Sequence, residues 1–138
     1  MKHFHLVTVG FCLLLLGAGC ARQGTKTATA KGLETVHFDF DQSYIKAEYR
    51  NNLKDGAKWL QDHKSKAITI EGNCDERGTN EYNIALGDRR AKSTKDYLTN
   101  LGISDSQLST VSYGEEKPAE TCHNESCWWK NRRAEFKE

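Results

Sequence analysis

A short apolar strand, a polar loop and a long helix follow one another in the middle of the chain, and this order constrains the fold more than any other feature. Ile68 and Ile70 alternate with polar neighbours, which is typical of a strand with one buried face. The loop that follows contains two glycines, and the helix is expected to begin at Thr79 or Asn80. A second alternating segment at residues 108–114 predicts the next strand. Strands that alternate with helices favour an α/β sandwich.

Apolar periodicity places the other elements in the same alternation. The expected elements are a strand at residues 33–40, a helix at 47–63, a strand at 66–71, a helix at 81–101, a strand at 108–114, a short helix at 126–133 and a last strand at 133–136. Together they predict an α/β (α+β) sandwich with a βαβαβ core.

The side-chain patterns also predict which faces are buried. On the first strand the expected core face carries Val36, Phe38 and Phe40. On the long helix the expected core face carries Ile84, Ala91, Leu98 and Leu101. A neighbouring face, which the loop before the helix can reach, carries Asn83, Leu86 and Arg90. Gly102 is expected to end this helix.

The loop and the helix bring one acid and one base to a common helix entrance. Asp75 can accept hydrogen bonds from an ammonium group, and Arg90 can hold a carboxylate in a bidentate fork. Together they would bind a small zwitterion. The structural alternatives are that Asp75 caps the helix or pairs with Arg77, and that Arg77 pairs with Glu76 or Glu81. Arg89 is expected to be a solvated neighbour.

The N-terminal residues have the pattern of an export signal. Lys2 precedes an apolar run at residues 6–16, which is too short to span a bilayer and fits the central part of a signal peptide. The run ends in small residues before Cys20. We therefore expect a signal peptide at 1–19, a lipidated Cys20 with a flexible tether at 20–32, and a folded domain at 33–138.

The cysteines are consistent with an exported protein. Cys122 and Cys127 lie close together before a helix, and an oxidising periplasm predicts a disulfide between them. Zinc held by these two residues with His123 and Cys74 is the alternative. Cys74 itself is either free and buried beside the site or paired between molecules.

Composition narrows the classes of function. The formal net charge of +1 argues against nucleic acid as a partner, because neutralising phosphates requires a basic excess.

We see no pairing of a nucleophile with a base and no His-Glu-x-x-His zinc motif, so we expect neither an enzyme nor a cofactor. A wall-active hydrolase and a zinc-binding periplasmic domain remain the alternative functions. A motor stator would need a longer apolar segment.

Several long segments resemble the peptidoglycan-associated lipoprotein family, whose members have an OmpA-like domain. The similar segments are residues 36–41 (VHFDFD), 70–79 (IEGNCDERGT), 81–91 (EYNIALGDRRA), 111–118 (VSYGEEKP) and 130–134 (KNRRA). The end of the apolar run resembles the lipobox that precedes the acylated cysteine, although Gly17 stands where the family usually has leucine. Ala21 after the cysteine implies an outer-membrane location.

The resemblance implies a mixed sheet and non-covalent binding of the peptidoglycan stem peptide through meso-diaminopimelate. It implies that Asp75 meets the ammonium of this amino acid and that Arg90 meets its carboxylate. Pocket-lining roles follow for Asn83, Leu86 and Asp39, with Arg77 as a further candidate. The implied partners are TolB and the other Tol proteins, with a role in outer-membrane integrity and cell division.

The end of the chain departs from the family pattern. Residues 134–138 are more polar than the usual apolar last strand, so we expect this strand to be short or to lie at the sheet edge. The segment Asn131-Arg132-Arg133 is expected to attach the last helix to the preceding loop rather than to contact the ligand. Trp128 and Trp129 are expected to pack, with one of them exposed.

Overall fold

Four strands and three helices alternate in the computed structural model, which describes residues 32–138. The elements in chain order are β1 (Val36–His37), α1 (Arg50–Asp62), β2 (Ile68–Asn73), α2 (Asn80–Asn100), β3 (Leu108–Gly114), α3 (Glu125–Asn131) and β4 (Arg133–Lys137). Short 3-10 turns precede α1 and β3. The expected signal peptide, lipidated Cys20 and tether lie outside the described residues.

The strands form one mixed sheet with the order β1-β4-β2-β3. The β2–α2–β3 segment is a crossover that makes β2 and β3 parallel, with Ile68 opposite Leu108. Strand β4 runs antiparallel to both of its neighbours. The α/β sandwich with a mixed sheet and a short third helix is therefore confirmed.

Of the two alternatives for the last strand, a short strand or an edge position, the edge position is wrong. Strand β4 lies inside the sheet, where Ala134 and Phe136 are fully buried and Phe136 pairs with Ile70 of β2. The polar residues that suggested an edge alternate with these two, so they point to the other face of the sheet. There Arg133 and Lys137 form ion pairs with Glu135.

One face of the sheet packs against α1 and α2 to form the core. Leucines of α1, isoleucines of β2 and the aromatic residue of β4 belong to this core, and each such side chain stabilises the fold by about 1.5–3 kcal/mol when fully buried. The largest fully buried apolar side chains are Leu53, Leu60, Ile68, Ile70, Leu98, Val36 and Phe136.

Helix α2 lies unusually close to β2 because two glycines face each other. A Cβ atom built on Gly72 would stand 1.8 Å from the backbone oxygen of Gly87, and one built on Gly87 would stand 2.3 Å from Oγ of Ser112. No side chain fits between these backbones. The contact fixes the height of α2 above the sheet and so places the residues on either side of Gly87 at the end of β2.

Two expected core residues are exposed. Phe40 is 56 % exposed because β1 ends at His37 and the chain then turns through Asp41, which has a φ of 57°. Ile84 is 38 % exposed because the buried face of α2 is rotated away from it. Instead that face buries Asn83, Leu86, Gly87, Arg90, Ala91, Thr94 and Leu98.

Both ends of α2 are capped by the expected residues. The Thr79 side chain accepts a hydrogen bond from the Tyr82 backbone N–H at 3.2 Å, which satisfies one free donor of the first turn. Gly102 follows the last turn with a φ of 94° and donates its N–H to Thr99. Within residues 32–138, no helix is both long and apolar enough to cross a membrane.

Candidate functional site

The loop between β2 and α2 is held by the elements around it. The Cys74 N–H donates to the backbone oxygen of Gly114 at the end of β3, at 2.7 Å. Asn83 of α2 reaches back with its amide and donates to the backbone oxygen of Asp75 at 3.2 Å. The same amide donates to Glu115 at 2.5 Å. The loop is therefore tied to the end of β3 and to α2, and its side chains have fixed directions.

Asp75 lies at the centre of an ionic cluster. The carboxylate is only 3 % exposed, and it accepts the backbone N–H of Arg77 at 3.1 Å. The Arg77 guanidinium adds two bonds, at 3.1 and 2.7 Å, and Arg132 adds one at 3.1 Å. Burial alone would raise the pKa of Asp75, but the hydrogen bonds from the two arginines outweigh burial and hold the pKa below its ordinary value.

Arg132 is a site residue that the sequence did not reveal. It precedes β4, and its side chain is almost fully buried. Besides Asp75, it donates to the backbone oxygen of Phe38 at 3.0 Å and to both carboxylate oxygens of Glu125. The only sequence signal was its place within the Asn131-Arg132-Arg133 segment. That segment does attach the last helix to the loop, because the Asn131 amide bonds residues 119 and 120.

Arg90 has a different environment from the one expected. The side chain is 0 % exposed, and it donates to the backbone oxygens of Gln42, Asn73 and Asp39 at 2.8–3.2 Å. A further bond goes to Sγ of Cys74 at 3.3 Å. A guanidinium has five N–H donors, so one N–H on Nη2 remains for a ligand. Arg90 therefore has no free pair of N–H groups for a bidentate fork, and its side chain exposes no surface in the ligand-free domain.

Arg77 is the more accessible guanidinium. Its planar group lies between the rings of Phe40 and Trp128, at 4.0 and 4.1 Å from their centroids. The Nε and Nη2 atoms bond to Asp75, whereas Nη1 has no hydrogen-bond acceptor among residues 32–138. Arg77 thus pairs with Asp75 and not with Glu76 or Glu81. Its Nη1 side is available to an anionic ligand.

These side chains line an open cavity of about 220 Å³. The lining residues are Phe40, Asp41, Cys74, Asp75, Arg77, Gly78, Tyr82, Asn83, Leu86, Arg90 and Arg132. Five of the six predicted ligand-binding residues are among them. The cavity combines guanidinium groups, carboxylates and apolar walls in one space.

Asp39 is the predicted site residue that does not line the cavity. Its side chain is exposed and bonds to Tyr44 and Lys46, so only its backbone oxygen takes part, as an acceptor for Arg90. Asp41, two residues further on, lines the cavity instead and accepts a hydrogen bond from the Tyr82 hydroxyl. The turn after β1 explains why Asp41 and not Asp39 faces the cavity, because the chain no longer follows the alternation of a strand there.

Cys74 packs in the wall of the cavity. It is a free, buried thiol, and its Sγ donates to the backbone oxygen of Asn83 at 3.3 Å. Burial raises the pKa of Cys74 to about 11, so the group is a neutral thiol at physiological pH. Its role here is packing.

Cys122 and Cys127 are joined by a disulfide, with their Cα atoms 5.6 Å apart. The bond uses two of the four side chains of the zinc alternative. Among the described residues, no group of three or more His, Cys, Asp or Glu side chains is arranged to hold a metal ion. The disulfide closes a small ring around the start of α3, immediately before Trp128.

Residues 37–132 match the sequence model of the OmpA family. A peptidoglycan-associated lipoprotein of Brucella melitensis is 45 % identical over 120 residues, which cover 86 % of this chain and 71 % of the relative. The chain belongs to the OmpA family, among the peptidoglycan-associated lipoproteins. Its relative in Pasteurella multocida is 52 % identical over 100 residues, covering 72 % of this chain and 67 % of that protein.

Solved structures of other proteins have the same architecture. The crystal structure of the peptidoglycan-associated lipoprotein from Burkholderia pseudomallei superposes with a TM-score of 0.74 at 44 % identity, covering 75 % of this chain and 87 % of the other. The C-terminal domain of Helicobacter pylori MotB has a TM-score of 0.67 at 24 % identity, with coverage of 76 % and 83 %. At that identity the likeness shows the fold alone.

Proposed function

We propose that this protein is an outer-membrane lipoprotein that binds peptidoglycan non-covalently through meso-diaminopimelate of the stem peptide. The observation that supports this most directly is the cavity itself. Its lining includes the basic residues Arg77 and Arg90 and the acidic residues Asp75 and Asp41. Diaminopimelate carries an ammonium and a carboxylate on the α-carbon of its free end, and this cavity has oppositely charged residues for each.

In the proposed complex the arginines bind the ligand carboxylate. Arg77 donates from Nη1 and Arg90 from Nη2, and each charge-assisted hydrogen bond contributes about 1.5–3 kcal/mol. Leu86 and the Cys74 side chain contact the methylene groups of the ligand. Because the ligand carboxylate would be held partly out of water, both bonds are stronger than they would be on an open surface.

The ammonium is proposed to lie between the two acids. Asp75 already accepts four hydrogen bonds, which is about the capacity of a carboxylate. We therefore assign two roles to Asp75. It supplies a negative charge at the base of the cavity, and it orients Arg77 and Arg132. The exposed carboxylate of Asp41, which accepts only from Tyr82 among the described residues, makes the direct bond.

The site favours binding over hydrolysis. A carboxylic acid that protonates a leaving group at neutral pH needs a raised pKa, and the pKa of Asp75 is lowered. The names of the relatives also describe association with peptidoglycan. We propose in addition that lipidated Cys20 anchors the protein to the outer membrane, and that TolB and the other Tol proteins are its partners in maintaining that membrane and in cell division.

The binding site is tested by substituting Arg77, because that side chain is only half-buried and its loss leaves Arg132 paired with Asp75. Arg77→Gln should weaken binding of a soluble diaminopimelate-containing tripeptide roughly tenfold or more, as expected for one lost charge-assisted bond. Isothermal titration calorimetry measures the change. Arg89→Gln is the matched control, since Arg89 is exposed on α2 and outside the cavity. Equal affinities of Arg77→Gln and the wild type would refute the site.

A further inference from the structure

Helix α3 contributes two side chains that contact the site arginines without lining the cavity. The ring of Trp128 stacks on the Arg77 guanidinium, and its indole N–H donates to Glu76 at 2.9 Å. Glu125 accepts two hydrogen bonds from Arg132 and lies 3.8 Å from Nη2 of Arg77. Neither Trp128 nor Glu125 is among the cavity-lining residues.

The disulfide holds this pair of side chains in place. Glu125 belongs to the segment between Cys122 and Cys127 that the disulfide closes into a ring, and Trp128 is the next residue in the chain. Cys127 is buried, so the first turn of α3 is fixed to the body of the domain. A short helix of this kind would otherwise be marginal on its own.

We propose that Trp128 and Glu125 are positioning residues that set the ligand affinity of the cavity by orienting Arg77 and Arg132. The inference rests on the proposed function. An arginine side chain loses considerable rotamer freedom when it binds a ligand. The Arg77 guanidinium is stacked between the rings of Phe40 and Trp128, which removes that rotamer freedom before the ligand binds. The ligand therefore does not have to order Arg77. Glu125 restricts the rotamers of Arg132 in the same way, and Arg132 in turn holds the Asp75 carboxylate in one orientation through its hydrogen bond.

The first test compares two adjacent tryptophans. Trp128→Leu should weaken binding of the diaminopimelate tripeptide about five- to tenfold, in line with the loss of one partly desolvated cation–π contact. Trp128→Phe, which keeps a ring on the guanidinium, should restore most of the affinity. Trp129→Leu is the matched control, because Trp129 is 45 % exposed and packs on His37 instead. Equal affinities of Trp128→Leu and the control would overturn the inference.

A double-mutant cycle distinguishes positioning through Arg77 from a general loss of structure. In an Arg77→Gln background, Trp128→Leu should have no further effect on affinity, since the residue through which it acts is gone. Additive effects would contradict the proposal. Should Trp128→Leu fail to fold, the single substitution Glu125→Gln, which acts through Arg132, replaces the cycle. It should weaken binding of the tripeptide, whereas Glu120→Gln, which changes an exposed acid paired with Lys130, should not. Equal affinities of these two variants would overturn the inference.

A ligand-free measurement separates this inference from the proposed function. The Arg77 Nε–H signal in a proton–nitrogen NMR spectrum should be protected from exchange in the wild type and in Trp129→Leu, and should broaden or shift in Trp128→Leu. An unchanged signal in Trp128→Leu would overturn the positioning role whatever the protein binds. Failure of the wild type to bind the tripeptide would instead refute the proposed function, and with it any effect on affinity.

Discussion

At the scale of single residues, Asp75 and Arg90 already have hydrogen-bond partners within the protein before any ligand arrives. Asp75 is surrounded by two arginines, and Arg90 is surrounded by backbone oxygens. Removing one partner of such a buried pair leaves the other without compensation, which is costly. Substitutions here therefore change stability as well as affinity, and both quantities must be measured on every variant.

Asp75→Asn should lower the free energy of unfolding at neutral pH by about 1–3 kcal/mol, because two arginines lose an ionic partner. The pKa of Asp75 is lowered in the folded protein, so its stabilisation is fully present above the ordinary value of 3.8 and disappears as the pH falls through the lowered value. Urea denaturation at a series of pH values should show the two proteins converging in acid.

The exposed acid Asp88 on α2 provides the control for this measurement. Asp88→Asn should leave the free energy of unfolding nearly unchanged at neutral pH. A deficit in Asp75→Asn that stayed constant down to strongly acidic pH would show that the ionised carboxylate is not what stabilises the loop.

Local pattern was sufficient to predict some site residues and insufficient for others. Asp75 and Arg77 share one short loop, so their proximity follows from the sequence. Arg132 lies 57 residues away from Asp75, and only the pairing of β4 with β2 brings it there. Asp41 lines the cavity and the Asp39 side chain does not. This has a local cause, the left-handed conformation of Asp41, which strand alternation does not anticipate.

At the scale of elements, the close contact of α2 with β2 positions the cavity. Gly72→Ala should lower the free energy of unfolding by about 1–3 kcal/mol or more, because the new methyl group would overlap a backbone oxygen that cannot rotate away. Urea denaturation monitored by circular dichroism measures the change. A variant as stable as the wild type would show that the two backbones are not in contact.

The order of the elements was predictable, but their arrangement in the sheet was not fully so. Apolar periodicity identified the order of strands and helices because α1 and the start of β2 each bury one face. On the core face of α2, Ala91 and Leu98 are buried as predicted, whereas Ile84 is exposed. The buried face is wider than apolar periodicity indicates because it also contains Asn83 and Thr94, whose polar groups bond to the protein instead of to water. Strand β4 was misplaced because charge on one face of a central strand resembles the charge of an edge strand.

At the scale of the whole molecule, the proposed function combines a lipid anchor in the outer membrane with a domain that binds the cell wall. The formal net charge of the chain is only +1, so general charge attraction contributes little to wall binding. Specificity must then come from the cavity, where the second carboxylate of the ligand is proposed to bind Arg77 and Arg90. Peptidoglycan that has lysine in place of diaminopimelate lacks that carboxylate.

The most direct test is co-sedimentation of the full-length protein, in mild detergent, with purified sacculi of the two types. The account predicts that the protein sediments with sacculi that contain meso-diaminopimelate and stays in the supernatant with sacculi that contain lysine. Free diaminopimelate tripeptide should release the bound protein. Equal retention on both types of sacculus would contradict the proposed recognition of the zwitterion.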